Sequence, residues 1–281
     1  MELSTGIIDL DNLLQGLIPG DNIVWQVDDM ADYAFFADKF ARKAVESKLE
    51  CVYFRFARHA PLLGDVPGVK IFNIDPAPGL DQFAGEVHTV IEKSDRNARL
   101  IFDNLSVLAT TWATDEQLAN FFQVTCPYIF ELGPVAYFGL TRGKHLHSAV
   151  ARIRDTTQIL IDVYHAKSSM YIHPIKVWNR YSSQMFLPHQ VSENGWTPVS
   201  ISGDAAAVSS TALKQPLTSS VTSMAPWEVV YDRLLHHRAT AQEKEAYSPE
   251  IASLKHELIR MMIGDHPNFN KLADEYSQST T

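Results

Sequence analysis

The chain has 281 residues, with 33 Asp and Glu against 24 Lys and Arg, for a formal net charge of -9. A hydrophobic content of 46% is ample for a buried core, which excludes a chain disordered throughout, and the acidic balance makes nucleic acid an unlikely partner. No apolar run approaches the ~20 residues that cross a bilayer, so no membrane partner is expected. Met1–Gly6 lacks the basic-then-apolar pattern of a secretory signal, and the expected location is the cytoplasm. Cys51 and Cys126 lie far apart with no CxxC spacing, which predicts buried reduced thiols rather than a disulfide framework or a structural zinc site.

In chain order, Asn22–Val27 is short and β-branched and follows the turn pair Pro19-Gly20, so it reads as a buried strand. A helix follows over 32–48, where Tyr33, Phe36, Ala37, Phe40 and Ala44 recur at three- and four-residue steps. Cys51–Phe56 reads as a second strand, and Leu80, Phe83, Ala84, Val87, Val90 and Ile91 mark a second amphipathic helix. Leu100–Phe102 leads into Asp103 as a third strand. Thr114 and Gln117 then form a capping-box start for a helix carrying Leu118, Phe121 and Phe122, which Pro127 should end or kink. Val135–Thr141 has the continuous apolar character of a strand covered on both faces. This alternation predicts an α/β domain with a mostly parallel sheet and helices on both faces.

After Asp155 the pattern changes to strands without helices between them: 158–164, a turn at Lys167-Ser168-Ser169, 171–179 and 185–191. That predicts an antiparallel β-meander at one sheet edge. Residues 200–225 are rich in Ser, Thr and Ala and read as a linker. Residues 226–281 read as a small helical tail, with Trp227, Val230 and Leu234 on one helix and Ile251, Leu254, Leu258 and Met261 on another. The main domain is expected over 1–199.

The opening segment Ser4-Thr5-Gly6-Ile7, Leu10-Asp11, Leu13-Leu14, Gly16 and Ile18-Pro19-Gly20 resembles the start of the KaiC-like branch of the RecA superfamily of ATPases. The resemblance implies a RecA-like, P-loop NTPase-type fold, with a phosphate-binding loop GxxxxGK[ST] after the first strand. Here that stretch is Asp28-Asp29-Met30-Ala31-Asp32-Tyr33-Ala34-Phe35, with no glycine, and with Ala34 and Phe35 where the family has its Lys and hydroxyl. Each carboxylate about 4 Å from a phosphate charge costs on the order of 1 kcal/mol in bulk water and about 4 kcal/mol at an effective dielectric of 20. The paired glutamates that the family carries after its second strand are Ala57 and Arg58 here. Asp103 resembles the Walker B aspartate, although it can equally cap the following turn. Of the family's K-x-R pair, Arg180 is present and Trp178 stands at the Lys position; the resemblance implies that this arginine reaches a neighbouring subunit's nucleotide. "QGLIPGDNIVWQVD", "YFRFARH", "DTTQILIDVY" and "HPIKVWNRYS" further resemble the degenerate RecA-like region ahead of the catalytic part of some bacterial phosphoenolpyruvate synthase or pyruvate phosphate dikinase-like proteins, whose catalytic portions are absent from these residues.

The candidate degenerate nucleotide site therefore comprises Asp28, Asp29, Asp32, Arg55, Arg58, His59, Asp103, Arg142 and Arg180. Arg55, Arg58 and His59 end the second strand, where ligands bind in parallel α/β sheets. They suit an anion, or the two arginines pair with Asp28, Asp29 or Asp32 and close the site. His145 and His147, with Arg142 and Lys144, suit phosphate or a metal, or a solvated loop. Tyr164, His165, Lys167, Tyr171, His173 and Lys176 suit single-stranded nucleic acid, or cross-strand packing. No Ser-His-Asp arrangement is assignable before the fold is known.

The resulting expectation is a noncatalytic, pseudo-ATPase module, regulatory or oligomer-forming, linked to phosphoenolpyruvate or pyruvate metabolism. It has no catalytic residues, no cofactor and no metal. Its partner is another protein, such as a phosphoenolpyruvate synthase-type enzyme, or a copy of itself. The alternative is a nucleotide binder with a rebuilt site, in which Asp103 and one of Asp28, Asp29 or Asp32 hold magnesium for Mg-ATP and Arg55 or Arg58 contacts phosphate.

Overall fold

The computed structural model describes residues 3–56, 60–111, 113–166 and 168–201, together with 204, 205 and 208. Contacts divide the chain into two units, Met1–His145 with Ala149–Pro216, and Leu146–Ser148 with Leu217–Thr281. The elements below belong to the first unit, apart from the opening residues of the helix at His147. The expected helical tail lies outside the described residues. So does most of the expected linker, within which Asp204, Ala205 and Val208 are helical.

The elements run α1 (Ile8–Leu14), β1 (Asn22–Val27), α2 (Met30–Glu46), β2 (Cys51–Arg55), β3 (Val69–Asn73), α3 (Leu80–Lys93), β4 (Arg99–Asn104), α4 (Ser106–Thr111), α5 (Asp115–Leu132), β5 (Val135–Thr141), α6 (His147–Thr156), β6 (Ile159–Ala166), β7 (Ser169–Val177), β8 (His189–Gln190) and β9 (Thr197–Pro198). One sheet holds the nine described strands in the order β3-β2-β4-β5-β1-β6-β7-β8-β9. Every pairing from β3 across to β6 is parallel, and β6 through β9 pair antiparallel. The expected mixed α/β architecture and edge meander are thus present.

Strand residues alternate between two apolar layers because successive side chains point to opposite faces. Ile23, Trp25, Tyr53, Ile101 and Tyr137 join one core with Phe36 and Phe40 of α2. Val24, Phe54, Phe102 and Phe138 join the other with Phe83 of α3 and Phe121 and Phe122 of α5. Trp25 stacks on Phe36 at 4.2 Å and Phe40 on Tyr137 at 4.0 Å, while Phe102 stacks on both Phe54 and Phe138. Helices on both faces explain why the central strands read as continuous apolar runs. Cys51 and Cys126 are buried free thiols, and burial pushes the Cys51 thiol up to about 12.

Several elements depart from expectation. Pro127 does not end α5, which continues to Leu132 and stops at Gly133 in the left-handed conformation. The proline removes one amide donor, yet Phe122, Cys126 and Ile129 are buried on either side of it, and Asn22 Nδ2 donates to the Cys126 carbonyl at 2.9 Å. The strand expected over 185–191 shrinks to His189–Gln190, because 183–186 form a turn. Helices α1, α4 and α6 and strand β3 carry no strong periodicity and were not expected. His147 opens α6 rather than sitting in a loop.

Candidate functional site

Parallel α/β sheets place ligands at the carboxyl ends of their strands, and β1, β4 and β5 lead most of the candidate residues there. The connection from β1 to α2 is only Asp28 and Asp29. Asp29 is the N-cap, its carboxylate accepting the Ala31 amide at 2.9 Å, so Met30 already begins the helix. A wide phosphate-cradling loop needs several non-helical residues with their amides turned inward. Here that stretch is helical from Met30 onward.

Side chains of the chain itself fill the space alongside. Tyr33 is fully buried and donates its hydroxyl to the Phe102 carbonyl at 2.8 Å. A Cβ on Gly139 would lie 2.7 Å from the Tyr33 ring, so the ring packs directly on the β5 backbone, a contact only glycine allows. Burial pushes the Tyr33 phenol well above its ordinary value, with Tyr53 and Asp103 adding to the rise.

The loop carboxylates are each engaged inside the domain. Arg142, from the end of β5, pairs with Asp28 at 2.8 Å and Asp162 at 3.1 Å and donates to the carbonyls of Gln26 and Val163. Its guanidinium also lies 5.8 Å from the centre of the Tyr164 ring. One side chain thereby ties the ends of β1 and β5 to the middle of β6. Burial raises the Asp162 carboxyl, Arg142 opposes that rise, and Asp162 Oδ1 has no hydrogen-bond partner. Asp32 faces His165, whose Nε2 lies 3.0 Å from both carboxylate oxygens.

Asp103 is fully buried at the end of β4, beside a register shift between Ile101 and Asn104. It accepts from the Tyr53 hydroxyl at 3.1 Å and the Phe56 amide at 3.3 Å, so it caps the end of β2. The turn after β4 is instead capped by Asn104, whose Oδ1 accepts the Ser106 amide at 3.0 Å. The expectation that Asp103 caps this turn is corrected accordingly.

Asp28, Asp29, Asp32, Asp103 and Arg142 thus gather at one end of the sheet. Arg58 and His59 lie outside the described residues, and Arg55 ends β2. Among the described residues the cation on Asp28 is Arg142; the closure of Arg55 and Arg58 onto Asp28, Asp29 or Asp32 involves Arg58, which lies outside them. Arg180 is separated from the group. It donates to both oxygens of Asp21 at 2.9 Å and to the Gly16 carbonyl at 2.7 Å, at the opposite end of six-residue β1. At about 3.3 Å per residue, that strand puts it close to 20 Å from Asp28. It is therefore an internal ion pair within this chain.

Among the described residues no group of three or more His, Cys, Asp or Glu is arranged to hold a metal ion. Among the described residues no helix is long and apolar enough to cross a membrane. In the meander, Tyr164 opposes and stacks on Tyr171, His173 meets the Phe186 carbonyl, and Lys176 donates to the carbonyls of Arg154 and Asp155. Lys167 lies outside the described residues.

His145 leaves the expected solvated loop for the interior, where Nε2 lies 2.7 Å from Ser106 Oγ and Nδ1 lies 2.7 Å from Asp115 Oδ1. Sequence reasoning missed Ser106 and Asp115, as it missed Asp162 and the filling role of Tyr33. The one local signal was the missing glycine over 28–35, which already argued against a wide loop. No protein-family model matches the chain, and no curated protein matches it either.

Proposed function

We propose that this chain is a RecA/KaiC-like domain whose nucleotide pocket is closed by its own side chains, making it noncatalytic toward nucleoside triphosphates and regulatory or oligomer-forming in role. The observation that carries the reading is the two-residue β1–α2 connection with Tyr33 packed on Gly139 behind it. The strand order is consistent with it, since β5 lies between β1 and the Asp103 strand and β6 lies on the other flank of β1. Such a filled site makes a rigid scaffold. The partner class favoured by the sequence resemblance is a phosphoenolpyruvate synthase-type enzyme or a second copy of this chain.

The test is the thermal midpoint with millimolar Mg-ATP, ADP, AMP and phosphoenolpyruvate, against magnesium alone. A ligand at about 100 times its dissociation constant stabilises the folded state by roughly 2.7 kcal/mol, which moves the midpoint by several degrees in a domain of this size. The expected result is no shift with any of them. A magnesium-dependent shift with one nucleotide overturns the closed-site reading in favour of a rebuilt phosphate site, and loss of that shift in Asp103→Ala would place magnesium there.

A further inference from the structure

Ser106, His145 and Asp115 come from three places in the chain: the strand–turn–helix junction after β4, the segment after β5, and the first turn of α5. Ser106 Oγ to His145 Nε2 is 2.7 Å, and His145 Nδ1 to Asp115 Oδ1 is 2.7 Å. The proton positions follow from the partners. A carboxylate only accepts, so Nδ1 carries the hydrogen, and in a neutral imidazole Nε2 is then the acceptor of the Ser106 O–H. The Thr141 amide donates to the same Oγ at 2.8 Å, fixing the hydroxyl's position from the other side. Serine, base and orienting carboxylate therefore stand in the order and tautomer that activate a hydroxyl nucleophile. The position also fits, because β4 and β5 are adjacent strands and their carboxyl ends are where ligands enter α/β sheets.

We propose that Ser106, His145 and Asp115 form a serine-nucleophile site for short-chain acyl esters. The reading is independent of the closed nucleotide pocket and uses none of its carboxylates. Ser106 is only 4% exposed, which restricts the acyl group to a small one such as acetyl. In the forward step the Oγ–carbon bond forms as the Oγ proton passes to His145 Nε2. The carbon–oxygen bond to the alcohol then breaks, and the alcohol leaves with that proton. Water adds to the acyl-serine, gives a proton to Nε2, and releases the carboxylic acid as Oγ regains its hydrogen. Ester and water become acid and alcohol with no other reactant. Ser106 and His145 are the catalytic residues; Asp115 acts through His145 and is a positioning residue.

The test treats the full chain with a small fluorophosphonate, maps the adduct by peptide mass, and follows p-nitrophenyl acetate hydrolysis alongside. The expected result is one adduct on Ser106, absent in Ser106→Ala. His145→Gln should slow labelling by about 10²-fold or more. Asp115→Asn should lower turnover and move the acid limb of its pH profile to lower pH, because the imidazolium loses its carboxylate; a merely structural aspartate would leave that limb in place. Thermal midpoints accompany each variant. Where Ser106→Ala fails to fold, Ser106→Cys keeps the side-chain shape, and its rapid alkylation by iodoacetamide at neutral pH, lost in the His145→Gln background, carries the same test. A parent chain that takes no label, or a label that persists on another residue in Ser106→Ala, overturns the proposal and leaves the three side chains as a latch between α4, α5 and the end of β5.

Discussion

Arg180 and Asp21 form a nearly water-free ion pair, with side chains 6% and 1% exposed. Burial raises the Asp21 carboxyl above its ordinary value, against the lowering effects of Arg180 and of the Ile18 amide that donates to it. A raised folded-state value means that the native chain holds this proton more readily than the unfolded one. The contribution to stability is therefore greatest at low pH and is lost as the pH rises through the folded value. Arg180→Met strands the carboxylate without its cation and should cost about 3–5 kcal/mol near neutral pH. Without the guanidinium the Asp21 carboxyl rises further, so the deficit should narrow as the pH falls toward the ordinary value of 3.8. Urea denaturation of parent and variant near neutral pH and again near pH 5 checks this, and equal deficits at both would refute it. Arg180 was visible in the sequence as a motif residue, but its partner was not. Asp21 lies 159 positions away, and only the docking of the post-β7 segment beside the start of β1 brings the two together.

Elements whose start or stop is written in adjacent residues were the legible ones. Thr114 and Gln117 form the reciprocal capping box, Gln117 N–H to Thr114 Oγ1 at 3.2 Å and Thr114 N–H to Gln117 Oε1 at 2.8 Å. α2 and α3 follow from their apolar spacing, and β5 has the bounds expected. Helices α4 and α6 are six and ten residues long, too short for a convincing apolar period, and their positions follow from what they pack against rather than from propensity. The same limit applied at the site. Asp115 announced itself only as a first-turn acid of α5, and nothing local joins it to a histidine 30 residues on. Thr114→Ala removes one side-chain acceptor and leaves the Gln117 amide without it, at a cost of about 1 kcal/mol. In a domain of this size the thermal midpoint should fall by roughly 2–4 °C, and Thr114→Ser should restore most of it. An alanine variant that melts with the parent would show that tertiary packing alone sets the start of α5.

Across the whole sheet, burial falls from the centre to both edges. β4 is buried along its full length, β5 at all but Thr141, and β1 at all but Gln26, whereas β3 has four exposed residues, including Ile71 at 56% and Phe72 at 37%. The sequence reading found the central strands because both of their faces are apolar, and it missed β3 because an edge strand with little to bury carries neither a continuous apolar run nor a clean alternation. The same gradient governs local opening. β1 is bonded on both sides, by β5 and β6, and releasing its amides requires parting two ladders; among the described strands β3 is bonded by β2 alone. Opening free energies range from near zero at frayed edges to the global value in core strands, and each 1.4 kcal/mol is tenfold in exchange. Backbone amide exchange at constant pH, read by mass spectrometry, should therefore find Asn22–Val27 and Val135–Thr141 the slowest and Val69–Asn73 faster by at least about 10²-fold. The Arg142 clamp on Asp28 and Asp162 adds a directional expectation. In Arg142→Met the exchange of the carboxyl ends of β1 and β5 and of β6 around Asp162 and Val163 should quicken together, where the guanidinium bridges them, while β2 and β3 keep their parent rates. Acceleration spread evenly over the sheet would mean that the clamp contributes to global stability alone, and an unchanged pattern would mean that the apolar layers hold the strand ends without it.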